Sequence, residues 1–126
     1  MKEENPNENR IQVMLIDPFD QSLSYVELSD SNIQDYYKVM DCRCFDIVRL
    51  GGGVIMYVDD EGLLRNNNRY FRLGSGNYAG KAILARETED GGTTDVNLFM
   101  TEVADKLSWL PEGHSEEPYM EFHSIN

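Results

Sequence analysis

Apolar and polar residues alternate over short segments near the start of the chain, a pattern typical of β-strands. Residues 11–17 form the first such segment, and the turn residues 18–22 separate it from a second one at residues 23–28. Residues 44–50 and 54–59 repeat the pattern on either side of three consecutive glycines. Because short glycine-rich turns connect antiparallel strands, we predict two β-hairpins, the second with its turn at Gly51, Gly52 and Gly53.

Two other segments have apolar residues at spacings of three and four, which indicates helices. The first covers residues 32–40, with Ser29 or Ser31 as the expected N-cap. The second covers residues 99–110, and Pro111 ends it. The apolar stripes consist of Ile33, Tyr36, Tyr37 and Met40 in the first helix and of Phe99, Met100, Val103, Leu107 and Leu110 in the second.

The remaining segments are short. Residues 70–73 and 81–86 are predicted strands, with a glycine-rich loop at residues 74–80 between them and an exposed turn at residues 87–94. Five or six strands and two helices without regular β-α alternation predict an α+β fold, a single small domain built mostly on an antiparallel sheet. We expect a flexible arm at residues 1–10, the domain at residues 11–110 and an acidic tail at residues 111–126.

Charge limits the classes of partner. The 126 residues include 23 acidic and 11 basic side chains, a formal net charge of -12. A chain this acidic is repelled by nucleic-acid phosphates and by anionic membranes, so we expect it to bind neither directly. The chain has no apolar run of the roughly 18 residues that a membrane span needs, and its first residues have no apolar stretch typical of a secretion signal. A cytoplasmic protein is the expectation.

The charge is unevenly distributed along the chain. Residues 43–86 carry seven basic and four acidic residues, a net charge of +3, and the remainder carries four basic and nineteen acidic residues, a net charge of -15. This excess of acid either only keeps the protein soluble or forms a face that docks on a basic protein. The candidate contacts at predicted strand ends and turns are Asp17, Asp20, Glu27, Asp59, Asp60 and Glu61.

Motifs for catalysis or metal binding are weak. Cys42 and Cys44 would need two further ligands for zinc, and His114 and His123 lie in the predicted tail. The sequence has no Gly-x-Ser-x-Gly nucleophile motif, and no pair of carboxylates stands out as an acid–base pair. We therefore expect no enzyme activity, no cofactor and no metal.

The basic middle of the chain permits an alternative function. A phosphate-binding loop would have glycine where Ser75 stands and Ser or Thr where Ala82 stands, so that motif fails. Backbone N–H groups of a glycine-rich turn can nevertheless bind an anion. Arginines beside such a turn and an aromatic ring that stacks on a base would favour a nucleotide. The residues of this alternative site are Arg65, Arg69, Arg72, Gly76, Tyr78 and Lys81.

Four segments occur in an order that carries a family resemblance: residues 15–20, 44–50, 57–63 and 79–81. Across about residues 11–110 the chain resembles an uncharacterised family of small proteins of bacteria, phages and mobile elements, classed only as a domain of unknown function. The resemblance implies no catalytic residues. Its setting implies a role against host defence, either by occupying a nucleic-acid-binding effector or by capturing a nucleotide signal.

Together these observations predict a non-catalytic acidic binding protein. We expect it to dock on a basic nucleic-acid-binding effector by presenting carboxylates in place of phosphates, in the manner of a counter-defence inhibitor. The alternative is sequestration of a small anionic nucleotide at residues 65–81. An exposed edge strand in so small a sheet also permits a homo-oligomer.

Overall fold

The computed structural model describes residues 10–64 and 68–114. These residues form nine strands, two α-helices and one 3-10 helical turn at Gly62–Leu64. The strands are β1 (Arg10–Asp17), β2 (Ser22–Ser29), β3 (Phe45–Gly51), β4 (Val54–Asp59), β5 (Tyr70–Leu73), β6 (Gly76–Ala79), β7 (Ala82–Glu87), β8 (Thr93–Thr94) and β9 (Leu107–Trp109). The helices are α1 (Ile33–Met40) and α2 (Met100–Ala104).

A large antiparallel sheet forms the centre of the fold. Its strand order is β2-β1-β7-β4-β3, and β8 pairs with the end of β7. β7 pairs with β1 on one side and β4 on the other, so Ala82 lies opposite both Ile16 and Val58. Both predicted hairpins, β1–β2 and β3–β4, are confirmed.

The three central strands are buried on both faces because successive side chains of a strand point to opposite sides. On one face, Val13, Ile83 and Tyr57 pack with side chains from α1. On the other face, Met14 and Leu84 belong to a second cluster that includes Phe71 and Val103. The sheet therefore separates two apolar clusters.

A small antiparallel sheet and α2 cover the second face. Its strand order is β6-β5-β9, and Phe71 of β5 is fully buried against the large sheet. Val103 of α2 packs into the same cluster. The fold thus has three layers, α1, the large sheet, and the small sheet with α2, and the predicted α+β class is confirmed.

The prediction of a second helix over residues 99–110 is wrong for its second half. The helix ends at Ala104, and Leu107–Trp109 forms β9, because this segment pairs with β5 from Phe71 opposite Trp109 to Leu73 opposite Leu107. Leu107 and Trp109 pack on the core at a strand spacing of two. Phe99, which the helical stripe would bury, is 73% exposed.

The predicted glycine-rich loop at residues 74–80 is also wrong. Gly76–Ala79 forms β6, with Leu73 opposite Gly76, so that only Gly74 and Ser75 lie in the turn. Position 76 needs glycine because the Tyr78 side chain lies over it. A Cβ at this position would lie 2.5 Å from the Tyr78 hydroxyl oxygen. The expected exposed turn at residues 87–94 is shorter than predicted, because Thr93 and Thr94 pair with β7 as β8.

The boundaries of the first helix and of the domain differ slightly from prediction. Asn32, rather than Ser29 or Ser31, caps α1, its side chain accepting a hydrogen bond from the Gln34 N–H at 3.1 Å. Arg10, assigned to the arm, begins β1. The rest of the predicted arm, residues 1–9, and residues 115–126 of the predicted tail, which include His123, lie outside the described residues. None of the described helices is long and apolar enough to cross a membrane.

Phe71→Ala tests whether the small sheet is part of the cooperative core. Removing a fully buried aromatic ring should lower the free energy of unfolding by about 3–5 kcal/mol, measured by urea denaturation. Arg72, the next residue on β5, is exposed, so Arg72→Ala is the matched control and should change stability by less than about 0.5 kcal/mol. Equal effects of the two substitutions would contradict the layered packing.

Candidate functional site

The register of the large sheet brings separate acidic residues to one end. Ile16 and Val58 both lie opposite Ala82, so the next residues, Asp17 and Asp59, leave the sheet at the same end. Only β7 separates β1 from β4, which places their backbones about 10 Å apart. We call this surface the acidic end; its residues are Asp17, Asp20, Asp46, Asp59, Asp60 and Glu61.

Local hydrogen bonds fix two of these carboxylates in turns. Asp17 Oδ1 accepts from the N–H groups of Phe19 at 3.0 Å and of Asp20 at 3.2 Å. Asp59 Oδ1 accepts from the N–H of Glu61 at 2.9 Å. Such turns are typical of aspartate after a strand. They hold the carboxylates at the ends of β1 and β4.

Asp46 and Asp60 form an interacting acidic pair at this end. Asp46 lies opposite Val58 near the start of β3, and Asp60 follows β4. The hydrogen bond and negative charge of Asp46 raise the pKa of the Asp60 carboxyl, with smaller contributions from desolvation and the charges of Glu61 and Asp59. A nearby negative charge disfavours the ionised form of a carboxyl and so raises its pKa. The raised pKa therefore reflects local negative crowding.

The acidic end also contains a surface depression of about 610 Å³. Asp46, Asp59 and Asp60 contribute its polar wall, and Leu63 and Tyr78 contribute to its apolar wall. Lysine and arginine side chains combine an apolar stem with a cationic head. The depression therefore has the chemistry to receive such a side chain.

Among the described residues, the side chain of Arg43 and the backbone of Arg69 and Lys81 lie near the acidic end. Arg43 Nη2 lies 2.9 Å from Glu61 Oε1, but the Arg43 side chain is 78% exposed, so this ion pair is screened by solvent. Lys81 precedes Ala82 between β1 and β4, and the Arg69 carbonyl accepts from the Gly80 N–H at 2.8 Å. The Arg43–Glu61 ion pair therefore compensates one carboxylate of the acidic end.

One of the six predicted contacts lies elsewhere. Glu27 is opposite Gln12 in the β1–β2 hairpin, near the start of β1 and the far end of the sheet. Its carboxylate lies 3.8 Å from Arg10 Nε. The structure therefore brings together Asp17, Asp20, Asp59, Asp60 and Glu61 and places Glu27 apart from them.

Asp46 is the acidic residue that the sequence-based interpretation missed. A signal for it was present, because Gly51, Gly52 and Gly53 define the turn of the second hairpin. Counting outward from that turn places the first residues of β3 beside the last residues of β4. The same count would have brought Asp46 next to the Asp59–Glu61 segment.

The residues of the predicted nucleotide site are not brought to one surface. Arg72 Nε donates to Asn77 Oδ1 at 2.9 Å, whereas Tyr78 packs on Phe71 towards the core. Tyr78 lies opposite Phe71, the neighbour of Arg72 on β5. Because neighbouring residues of a strand point to opposite faces, the side chains of Arg72 and Tyr78 lie on opposite faces of the small sheet and do not share a ligand pocket. Gly76 lies under the Tyr78 ring, Arg69 and Lys81 border the acidic end, and Arg65 lies outside the described residues.

The backbone of the predicted anion-binding loop is also largely occupied. The Gly74 N–H donates to the Lys106 carbonyl at 3.0 Å, and the Gly80 N–H donates to the Arg69 carbonyl at 2.8 Å. Between these glycines the chain pairs with β5 as a strand. These groups are therefore engaged within the protein instead of forming an open nest of donors.

Thiolates, imidazoles and carboxylates are the usual metal ligands of proteins. Cys42 is buried and Cys44 is exposed, and neither forms a disulfide bond. Within residues 10–64 and 68–114, no group of three or more His, Cys, Asp or Glu side chains has an arrangement suited to a metal ion.

Comparison with known proteins places the chain in a family. Residues 11–108 match the family described as a domain of unknown function, DUF3846, and the chain belongs to that family. The predicted resemblance to a family of unknown function is thereby confirmed. No curated protein and no solved structure matches the chain significantly.

Asp46→Asn tests the crowding of carboxylates. A raised pKa means that the folded state disfavours ionised Asp60, so the contribution of this group to stability is fully present below its ordinary pKa of 3.8 and is lost as pH rises through the raised pKa. Removing the Asp46 charge should therefore raise the urea midpoint at pH 7, with a gain that shrinks as pH falls towards 3.8.

An NMR titration of the Asp60 carboxyl should show its pKa returning towards the ordinary value in Asp46→Asn. Asp20→Asn is the control, because Asp20 is an exposed residue of the β1–β2 turn and should leave both quantities unchanged. An unaltered Asp60 titration in Asp46→Asn would contradict the pairing of these two carboxyls.

Proposed function

We propose that this protein is a non-catalytic binding protein that docks on a basic nucleic-acid-binding protein through the acidic end. The observation that carries the proposal is a depression with an apolar wall that is lined by Asp46 of β3 and by Asp59 and Asp60 at the end of β4. It lies at the end of the sheet where Asp17 of β1 also lies. Arginines and lysines that contact phosphates in a nucleic-acid-binding groove would find carboxylates here instead.

The electrostatics support docking by charge complementarity. A cluster of one sign accelerates encounter with a surface of the opposite sign and disfavours acidic competitors. The net charge of -12 adds long-range attraction, but the arrangement of the acidic end is what could give a defined orientation. A role as a counter-defence inhibitor in a mobile-element setting is the finer form of this proposal.

The nucleotide-sequestering alternative has less support. It needs Arg72 and Tyr78 to contact one ligand, and they lie on opposite faces of the small sheet. Thermal denaturation in the presence of a panel of nucleotides checks it, because a ligand at 100 times its Kd adds about 2.7 kcal/mol of stability.

Neutralising the acidic end should weaken binding to a basic protein without altering the fold. Asp17→Asn, Asp46→Asn and Asp60→Asn combined keep side-chain oxygen acceptors while removing three charges. We expect roughly tenfold weaker binding to a histone-like DNA-binding protein at 0.15 M salt, measured by calorimetry. Wild-type affinity should also fall steeply with added salt, because exposed charges are screened within about 8 Å at that ionic strength.

The matched control removes the same number of charges elsewhere. Glu27, Glu89 and Glu102 are exposed, and they lie outside the acidic end, Glu102 beside Gly51 and Gly74. The triple glutamine variant therefore has the same net charge as the triple asparagine variant. It should retain most of the affinity. Equal losses in the two variants would mean that total charge, and not the acidic end, governs binding, and salt-insensitive binding would contradict the proposal directly.

A further inference from the structure

The two edges of the large sheet differ in how they are covered. β2 lies at one edge, where both helices contact it and the Tyr25 hydroxyl donates to the Leu98 carbonyl at 2.6 Å. β3 lies at the other edge and pairs with β4 on its inner side. Among the described residues, no strand pairs with the outer side of β3.

The hydrogen-bond pattern identifies which groups of β3 point outward. The Asp60 N–H donates to the Cys44 carbonyl at 3.1 Å, which makes Cys44 and Asp60 a hydrogen-bonded pair. Such pairs alternate along an antiparallel ladder. The N–H and C=O groups of Phe45, Ile47 and Arg49 therefore point away from β4.

The side chains of this edge are chemically mixed. Ile47 is 42% exposed and Leu50 is 39% exposed. This edge strand therefore presents two large aliphatic side chains to solvent. Asp46 is exposed on the same strand and lines the depression of the acidic end. Arg49, by contrast, is engaged, with Nη2 lying 2.8 Å from Glu87 Oε2.

We propose that the partner docks by adding an extended segment to β3 as a further strand of the large sheet. This proposal rests on the proposed function and specifies how the partner binds. The outward groups of Phe45, Ile47 and Arg49 supply the main-chain hydrogen bonds. A lysine or arginine of the segment lies beside Asp46, and an apolar residue of the segment, which points to the other face of the sheet, covers Ile47.

Charge complementarity favours a basic segment over a second copy of this chain. Antiparallel pairing of two β3 strands centred on Ile47 would place Asp46 opposite Val48 of the other copy. That arrangement gives Asp46 no cation. It also brings together two chains that each carry a net charge of -12, whereas a basic segment compensates the acidic end.

The test uses a capped hexapeptide of alternating arginine and valine as the probe. On binding, amide hydrogen exchange at Phe45, Ile47 and Arg49 should slow at least about tenfold, measured by NMR on the full chain. Asp46 and Val48 should change little, because their N–H groups already point towards β4. Unchanged exchange at the three outward amides in the saturated complex would overturn strand addition.

Two N-methylated forms of the peptide provide the control. Methylation of the alternate residues whose N–H groups face β3 should weaken binding at least about tenfold, because it removes donors and blocks approach. Methylation of the other alternate set should have little effect. If both forms bind like the parent peptide, the peptide is held by charge alone; strand addition then fails while the proposed function remains.

A matched pair of protein variants separates the edge from general surface effects. Ile47→Lys should abolish most of the peptide affinity, whereas Ile33→Lys, at a residue of α1 that is 46% exposed, makes the same charge change away from β3 and should not. Equal behaviour of the two variants would overturn the assignment to β3. A wild-type dimer that only Ile47→Lys dissociates would also overturn it, because the edge would belong to a second copy. Failure of all basic peptides and basic proteins to bind would instead defeat the proposed function itself.

Discussion

The pairing of β7 with both β1 and β4 is the constraint on which the rest of the molecule depends. Because β7 is antiparallel to each, β1 and β4 run in the same direction and end together. Burial on both faces fixes this register, since a slip of one residue would exchange the two apolar faces of a strand. The acidic end is thus a consequence of core packing: Asp17 and Asp59 cannot separate unless the two apolar clusters are rebuilt.

Local patterns were sufficient to predict the hairpins and the first helix, and insufficient where tertiary pairing decides. Leu107 and Leu110 fit a helical stripe about as well as Leu107 and Trp109 fit a strand. The free side of β5 decides between them, because it offers hydrogen bonds that no helix of that segment could make. The segment Gly76–Ala79 has weak strand propensity and forms a strand because it follows a two-residue turn and lies beside β5. Neither neighbour can be inferred from the segment itself.

The candidate site could be predicted in part for the same reason. Asp59, Asp60 and Glu61 are adjacent in sequence, so their proximity needs no fold. Their proximity to Asp17 and Asp20 depends on β7, which pairs with both β1 and β4 and begins only at Ala82. Glu27 was misplaced because a count along β2 gives its position in the strand but not which end of the sheet it occupies. The register with β1 determines that end.

Charge and main-chain hydrogen bonds make different contributions to the proposed interface: charge attracts the partner, and the hydrogen bonds orient it. Attraction between exposed charges acts over several ångströms and tolerates many orientations, so the acidic end alone would attract basic proteins with little selectivity. Main-chain hydrogen bonds along β3 are short and directional, but they are nearly blind to sequence and weak without side-chain contacts. Asp46 lies on β3 and also lines the depression. An extended segment aligned on the strand therefore presents its cation at a fixed place, and a basic surface without such a segment would be attracted to the acidic end but not held in register.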